Sequence, residues 1–139
     1  MSEENAELVR GFVSAFRDGR VDDALSALSE DVIVHEAPNT PYPGDHHGRA
    51  GFAALAKAYG QIWDVQQAHG PEIFPAGNDL VLLLAHSDVL VKPTGEPLTF
   101  RVAEIYTIED GEIRDIRVHY WDTAEMAEAT KGKKVLHGA

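Results

Sequence analysis

A histidine and a glutamate stand side by side where an apolar segment ends. The stretch VIVHEAPNTPYPG places His35 and Glu36 just before a loop rich in proline and glycine. Successive side chains of a strand point to opposite faces, so Val32, Val34 and Glu36 would share one face. If that face is the core, Glu36 lies at its rim, where partial burial raises the pKa of a carboxyl toward that of a useful general base. The alternatives are an exposed strand end, or a partner for an arginine.

A second carboxylate interrupts an apolar row in FRVAEIYTI. Alternation predicts that Glu104 shares a face with Phe100, Val102, Tyr106 and Ile108. An unpaired buried charge is costly, so Glu104 must be protonated, paired or hydrated. The sequence leaves two interpretations open: a carboxyl in a pocket, or a structural ion pair with Arg114 or Arg117 on the next strand.

The last predicted strand adds further polar candidates. Alternation places Ile116, Val118 and Tyr120 on one face, with the Tyr120 hydroxyl available as a hydrogen-bond donor. Asp122 follows at the end of this strand and is a third candidate catalytic carboxylate. It could equally be the N-cap of a short helix, with Glu125 as its capping-box partner.

Aromatic and apolar residues complete the predicted ligand site. Tyr42, in the proline-stiffened stretch TPYPG, would act as a preorganised lid over the pocket mouth. Trp63 and Tyr59 lie near the end of a predicted helix, where plain core packing is the simpler interpretation for Tyr59. The residues predicted to contact a ligand are Phe12, His35, Tyr42, Trp63, Val102, Tyr106, Val118 and Tyr120.

Histidines raise the question of a metal site. His46 and His47 adjoin Asp45 in a loop, but no ligand pair has the spacing of a regular element, so no metal is expected. His86 and Asp88 would share one face of a long strand, either toward the pocket or outward; counting from the turn glycine favours outward. No cofactor is expected, because phosphate-binding and dinucleotide-binding motifs are missing from the sequence.

Periodicity predicts the elements that must position these residues. Helical spacing of apolar residues covers 4–18, 21–30 and 50–63, and strand-like segments cover 31–36, 66–76, 79–91, 98–108 and 112–121. Residues 37–48 are predicted to be loop. Helices segregated from a run of antiparallel strands indicate one α+β domain over 1–139, with a core of about 5–125 and a polar C-terminal tail, 126–139.

Composition excludes several classes of function. The chain has 139 residues, no cysteine and a net charge of −11. Nucleic-acid binding needs a basic face that this chain lacks. The longest apolar run, LVLLLA, is too short to span a membrane. A cytoplasmic protein is the expectation.

This order of elements resembles the nuclear transport factor 2-like superfamily, in its SnoaL-like and ketosteroid isomerase-like branch. The segments that carry the resemblance are ALSEDVIVHEAP, HHGRAGFAAL and AEIYTIEDGEIRDIRVHYWDT. It implies a cone-shaped α+β fold, in which three N-terminal helices pack on a curved, mostly antiparallel sheet that encloses a pocket.

The resemblance also assigns roles to residues. It places Glu36 where the isomerases keep a general-base aspartate, and Glu104 where they keep a protonated aspartate that donates to the oxyanion. Their oxyanion tyrosine falls at Phe12, whose ring cannot donate a hydrogen bond, which argues against ketosteroid isomerase chemistry in its usual form.

Two functions follow as hypotheses. The first is an isomerase, cyclase or dehydratase that binds a small hydrophobic molecule and uses Glu36 with Glu104 or Tyr120 for acid–base chemistry. The second is a non-catalytic ligand-binding or accessory protein. The resemblance implies a homodimer through the sheet, and the residues considered for its outer face are Val81, Leu83, Val89, His119 and Trp121.

Overall fold

Four helices and one six-stranded sheet form the described part of the chain, residues 2–139 of a computed structural model. The helices are α1 (Ser2–Arg17), α2 (Val21–Ser26), α3 (Gly48–Ile62) and α4 (Thr123–Ala129). The strands are β1 (Leu28–Glu36), β2 (Gly44–His47), β3 (Trp63–Ala76), β4 (Leu80–Val91), β5 (Pro97–Glu109) and β6 (Glu112–Tyr120). The fold class is therefore α+β, as the sequence predicts.

The sheet is mixed, with strand order β2-β1-β6-β5-β4-β3. Only the β1–β6 pair is parallel among the described strands; the others are antiparallel. The strands β3 to β6 follow one another as hairpins, and the Asp110-Gly111 turn between β5 and β6 has positive φ at both residues, which is the backbone that such tight turns require. This topology brings the C-terminal end of β1 beside the C-terminal end of β6.

The helices cover one face of the sheet. Helix α1 packs against β3 and β4, and α3 packs against β1 and β2. Their apolar stripes meet at Phe12 and Phe52, whose ring centroids lie 5.3 Å apart. Burying a side chain of this size stabilises the fold by about 1.5–3 kcal/mol. The apolar residues whose helical spacing is visible in the sequence therefore pack α1 and α3 onto the sheet.

The opposite face of the sheet exposes large apolar side chains, among them Phe74 and Leu84. Val81, Leu83 and Val89 do not lie there: all three are buried in the core, so their suggested place on the outer face was wrong. Register explains this, because Leu83 is the cross-strand neighbour of the inward-facing Glu104. Trp121 does lie outside and is 83% exposed.

The sequence predicts a polar tail over 126–139, whereas in the structure this segment packs against the rest of the chain. Met126 is buried in the core, and the backbone N–H of Gly138 and Ala139 donates to the carbonyl oxygens of Pro43 and Asp45 at 2.7 and 2.8 Å. Lys134 donates through Nζ to the carbonyl oxygen of Thr40 at 2.8 Å. These are contacts to main-chain carbonyls, which a side-chain pattern does not reveal.

Two boundaries also differ from the sequence-based prediction. The second helix ends at Ser26 rather than at residue 30, because Leu28 and Ser29 are buried and already belong to β1. The predicted loop 37–48 contains β2, which pairs antiparallel with β1. None of the described helices is long and apolar enough to cross a membrane.

Candidate active site

Glu36 lies at the end of β1 and is only 6% exposed. Val32 and Val34 are also buried, so the alternation of β1 turns this carboxyl inward, as predicted. The hydroxyl of Tyr59, on α3, donates a hydrogen bond to Oε2 of Glu36. The other carboxyl oxygen, Oε1, has no hydrogen-bond partner among residues 2–139. One oxygen of a buried carboxyl is therefore left to interact with something else.

Burial raises the pKa of Glu36 from 4.5 to about 8. Loss of hydration is the main cause, because it disfavours the charged form. The negative charge of Glu104 raises the pKa further, whereas the hydroxyls of Tyr59 and Tyr120 lower it by stabilising the carboxylate. Near neutral pH this carboxyl can both hold and release a proton.

Glu104 faces the same interior from β5. It lies opposite Val118 in the β5–β6 pair, and the parallel register of Val34 with Ile116 brings Glu36 beside Val118 from the other side. Two strand spacings, about 10 Å, therefore separate the backbones of the two glutamates. The topology thus brings together two carboxyls that are far apart in the sequence.

The surroundings of Glu104 differ from those of Glu36. Tyr106 donates its hydroxyl proton to Oε1 of Glu104. Burial raises the pKa of Glu104, and this hydrogen bond and the positive charge of Arg17 partly oppose the rise. Arg114 pairs instead with Asp31 and Glu109, so the ion pair considered for Glu104 with the neighbouring strand is not formed with this arginine.

A chain of hydrogen bonds approaches Glu36 from the loop after β1. The indole N–H of Trp63 donates to the hydroxyl oxygen of Tyr42 at 2.9 Å. The hydroxyl oxygens of Tyr42 and Tyr120 lie 2.9 Å apart. Burial raises the pKa of both tyrosines well above 10, so both hydroxyls stay protonated and can donate.

Aromatic rings form the walls of this cluster. The ring of Tyr42 lies 4.6 Å from that of Tyr59, and Trp63 lies 5.3 Å from Phe100, measured between centroids. Phe100 in turn lies 6.0 Å from Tyr120. Several side chains in this region keep accessible surface although their neighbours are core residues: Tyr59, Phe100, Val102, Glu104 and Tyr120. The cluster is therefore apolar, with hydroxyls and carboxyls at a few defined points.

The model of the SnoaL-like domain family matches residues 9–116. The chain belongs to this family. None of the curated proteins compared with the SnoaL-like chain matches it.

Solved structures share the fold over nearly the whole chain. A nuclear transport factor 2-like protein from Burkholderia xenovorans is 26% identical, covers 94% of this chain and 98% of its own, and has a TM-score of 0.81. A proposed polyketide cyclase from Xanthomonas campestris is 18% identical, with coverage of 93% and 98% and a TM-score of 0.78. A proposed isomerase from Bacillus subtilis is 19% identical, with coverage of 95% and 96% and a TM-score of 0.77. At 18% and 19% identity, the last two likenesses establish the fold alone.

Two of the predicted site residues lie elsewhere in this SnoaL-like domain. His35 points to the opposite face of the sheet from Glu36, where its ring nitrogens contact Asp45 at 2.8 Å and Asp115 at 2.7 Å. Its prediction as a ligand contact was wrong, because adjacent strand residues cannot share a face. Asp122 is exposed and accepts a hydrogen bond from the backbone N–H of Glu125 at 2.9 Å, so it caps α4 rather than facing the site.

The remaining predicted ligand contacts divide into two groups. Trp63, Tyr42 and Tyr120 form the hydrogen-bond chain, and Val102 is the cross-strand neighbour of Tyr120. Tyr42 is fully buried, so its predicted place as a lid over a pocket mouth was wrong. Phe12 and Tyr106 pack deeper, with ring centroids 6.0 Å apart, while Val118 lies between the two carboxyls. Phe12 has no polar atom to offer, as the sequence had indicated.

The histidines outside the site have other partners. His46 is buried and donates through Nε2 to the carbonyl oxygen of Tyr42 at 2.9 Å, which holds the loop that carries this tyrosine. His86 stacks on His69 with centroids 4.3 Å apart, and Asp88 accepts from Thr99, all on the outer face. Among residues 2–139, no group of three His, Asp or Glu side chains is arranged to hold a metal ion.

Sequence reasoning missed the most direct partner of Glu36. Tyr59 lies on the apolar stripe of α3 and was interpreted as plain packing, yet its hydroxyl binds the carboxyl. A signal was present, because a tyrosine on a buried helix face needs a partner for its hydroxyl. Arg17 was also missed. It lies on the exposed side of α1, yet its positive charge lowers the pKa of Glu104.

Proposed function

We propose that this SnoaL-like protein binds a small hydrophobic molecule between its helices and its sheet and moves a proton on it with Glu36. The reaction would be an isomerisation, cyclisation or dehydration that needs no cofactor. The observation that carries this proposal is a buried carboxyl with one oxygen bound by Tyr59 and the other, Oε1, without a partner among the described residues.

A bound ligand can supply the hydrogen-bond partner that a buried polar atom lacks. Leaving such an atom unpaired costs about 1–3 kcal/mol, more if it is charged. A bound molecule whose reacting C–H or O–H lies against Oε1 would supply the missing partner. The apolar rings of Tyr42, Trp63 and Phe100 nearby favour a hydrophobic body for that molecule.

The pKa of about 8 suits either direction of proton transfer. At pH 7 roughly one tenth of the Glu36 carboxyls would be ionised and able to accept a proton from a carbon acid. The C–H proton would pass to Oε1, and the electron pair would move to the adjacent carbonyl oxygen to form an enolate. Tyr120 would donate a hydrogen bond to this oxygen, and Glu36 would return its proton to another carbon or to the oxygen.

Glu104 would act on Glu36 through its charge. Its carboxyl accepts a hydrogen bond from Tyr106, and two strand spacings, about 10 Å, separate its backbone from that of Glu36. When Glu104 is ionised it favours the protonated form of Glu36, and when protonated it could itself donate to a ligand. It would therefore tune the pH at which Glu36 becomes a base.

Deuterium uptake from D2O into a carbon acid tests the proposal. We expect the protein to accelerate exchange of the α-protons of the ketone 2-tetralone, with a rate that rises with pH toward about 8. Glu36→Gln should abolish the acceleration and Tyr120→Phe should reduce it about tenfold or more. Glu96→Gln, a change at an exposed turn, is the matched control and should exchange like the wild type. Equal rates in wild type and Glu36→Gln would contradict Glu36 as the base.

A non-catalytic binding protein is the second candidate. A pKa of about 8 means that Glu36 is mostly neutral at neutral pH, so the site would accept an apolar molecule without transferring a proton. In that case Glu36→Gln would keep the affinity for a bound ketone or phenol. Binding without deuterium exchange in the wild type would favour this candidate.

A homodimer through the outer face of the sheet is the proposed assembly. Large apolar side chains are exposed there, namely Phe74, Leu84 and Trp121. Exposed apolar patches on sheets commonly mark contact surfaces. Trp121→Glu should shift the mass measured by light scattering from dimer to monomer, and a wild-type monomer at micromolar concentration would contradict this assembly.

A further inference from the structure

The hydrogen bonds around Tyr42 have a direction that the side-chain chemistry fixes. An indole N–H can only donate, so the Tyr42 oxygen must accept from Trp63. Trp63 and Tyr120 are the two hydrogen-bond partners that the Tyr42 hydroxyl has within residues 2–139. Because Tyr42 is fully buried, its own proton would be left unsatisfied unless it points to Tyr120.

The same reasoning then applies to Tyr120. Its oxygen accepts the proton of Tyr42, so its own proton is free to point elsewhere. The parallel register of β1 with β6 places Val118 beside Glu36, and Tyr120 is the next residue of β6 on the same face. The neighbour that would accept its proton is therefore the carboxyl of Glu36, and the Tyr120 hydroxyl lowers the pKa of that carboxyl. Oε1 of Glu36 has no hydrogen-bond partner within residues 2–139, so the Tyr120 hydroxyl stabilises the carboxylate as a neighbouring donor, and a ligand oxygen that lies between the two groups can accept the same proton.

We propose that the indole N–H of Trp63 drives a one-way hydrogen-bond chain through Tyr42, which makes Tyr120 the donor at Glu36. Trp63 and Tyr42 are thus positioning residues. Each donation polarises the next hydroxyl and strengthens it as a donor. The site would then select molecules with an oxygen that gains negative charge as Glu36 takes a proton, such as an enolate or phenolate oxygen. This inference rests on the proposed role of Glu36.

The test is the pKa of Glu36, measured by the pH dependence of its carboxyl carbon shift in 13C NMR. Trp63→Phe removes the first donor and keeps an aromatic ring, so Tyr120 becomes a weaker donor and the pKa should rise by about 0.2 to 0.5. Tyr42→Phe should raise it by a similar amount. The double variant should show no more than the Tyr42→Phe change, because the indole acts only through the Tyr42 hydroxyl. Trp121→Phe, at an exposed tryptophan, is the control and should leave the pKa unchanged.

The signs of these changes distinguish the alternatives. If the chain ran the other way, Tyr42→Phe would free the Tyr120 proton for Glu36 and lower its pKa, which would overturn the proposal. Additive changes in the double variant would also overturn it. The Tyr42→Phe sign alone decides the matter if Trp63→Phe does not fold. A wild-type Glu36 that titrates near 4.5 would instead contradict the proposed function, whereas a high pKa that none of these variants changes would contradict only the chain.

Discussion

The raised pKa of Glu36 makes a quantitative prediction about folding. In the unfolded chain this carboxyl titrates near 4.5 and in the folded protein near 8. Between these values the folded protein holds a proton that the unfolded chain has released, so folding stability falls as pH rises. The contribution is fully present below about pH 4.5 and is lost as pH rises through 8. Each pKa unit corresponds to 1.36 kcal/mol, so the loss for this one group approaches about 5 kcal/mol.

Replacing Glu36 by glutamine removes this dependence. A glutamine resembles the protonated carboxyl and can still accept from Tyr59 through its side-chain oxygen. We therefore expect Glu36→Gln to lie within about 1 kcal/mol of the wild type in its free energy of unfolding near pH 5. It should exceed the wild type by about 3–5 kcal/mol at pH 9, a large part of the 5–15 kcal/mol typical of a domain.

Urea unfolding at a series of pH values between 5 and 9 measures this difference. Subtracting the two curves cancels other titrating groups, such as His35, whose pKa is raised by its two aspartates despite partial burial. Glu96→Gln is the control for loss of an exposed charge. A difference between wild type and Glu36→Gln that stays constant within about 0.5 kcal/mol from pH 5 to 9 would refute the reasoning.

Further changes test individual contacts. Tyr59→Phe removes a hydrogen-bond donor to the carboxylate and should raise the pKa of Glu36 above 8 in a 13C NMR titration. Glu104→Gln removes a negative neighbour and should lower the same pKa. A change of the opposite sign in either variant would contradict the cause assigned to that residue. Asp122→Ala removes the N-cap of α4 and should cost about 1 kcal/mol in urea unfolding without changing the pKa of Glu36, and a changed pKa would place it in the site after all. Gly138→Ala would place a Cβ in steric clash with the backbone of Asp45 in β2, so faster amide exchange at residues 138 and 139 is expected, and unchanged exchange would contradict the close packing.

Hydrophobic periodicity sufficed to predict most of the fold. The spacing of Phe12 and Phe52 on their helices predicted α1 and α3, and alternation predicted the inward faces of β1, β5 and β6. By contrast, β2 and the C-terminal segment are held largely by backbone hydrogen bonds, to β1 and to residues 41–45 respectively. Backbone groups are the same in every residue, so these contacts leave little trace in the sequence.

The candidate site was predictable to the extent that strand alternation decides it. Glu36 and Glu104 were placed correctly on inward faces, and the register with Val118 between them came only from the structure. The same alternation that turns Glu36 inward turns the adjacent His35 outward, so His35 does not lie in the site. Tyr59 escaped notice because a tyrosine in a helical apolar stripe fills space like a phenylalanine, and only the position of its hydroxyl shows the difference.

The kind of donor around Glu36 decides what the carboxyl can do. An arginine against Glu36 would hold its pKa well below the ordinary value and fix it as a permanent anion. Tyr59 and Tyr120 are neutral donors, which stabilise the carboxylate only enough to bring its pKa back partway from the effect of burial. The proton therefore stays exchangeable near neutral pH, at an oxygen that lacks a partner among the described residues. A site built to bind a charged ligand permanently would not need this balance, whereas a site that passes a proton to and from its ligand depends on it.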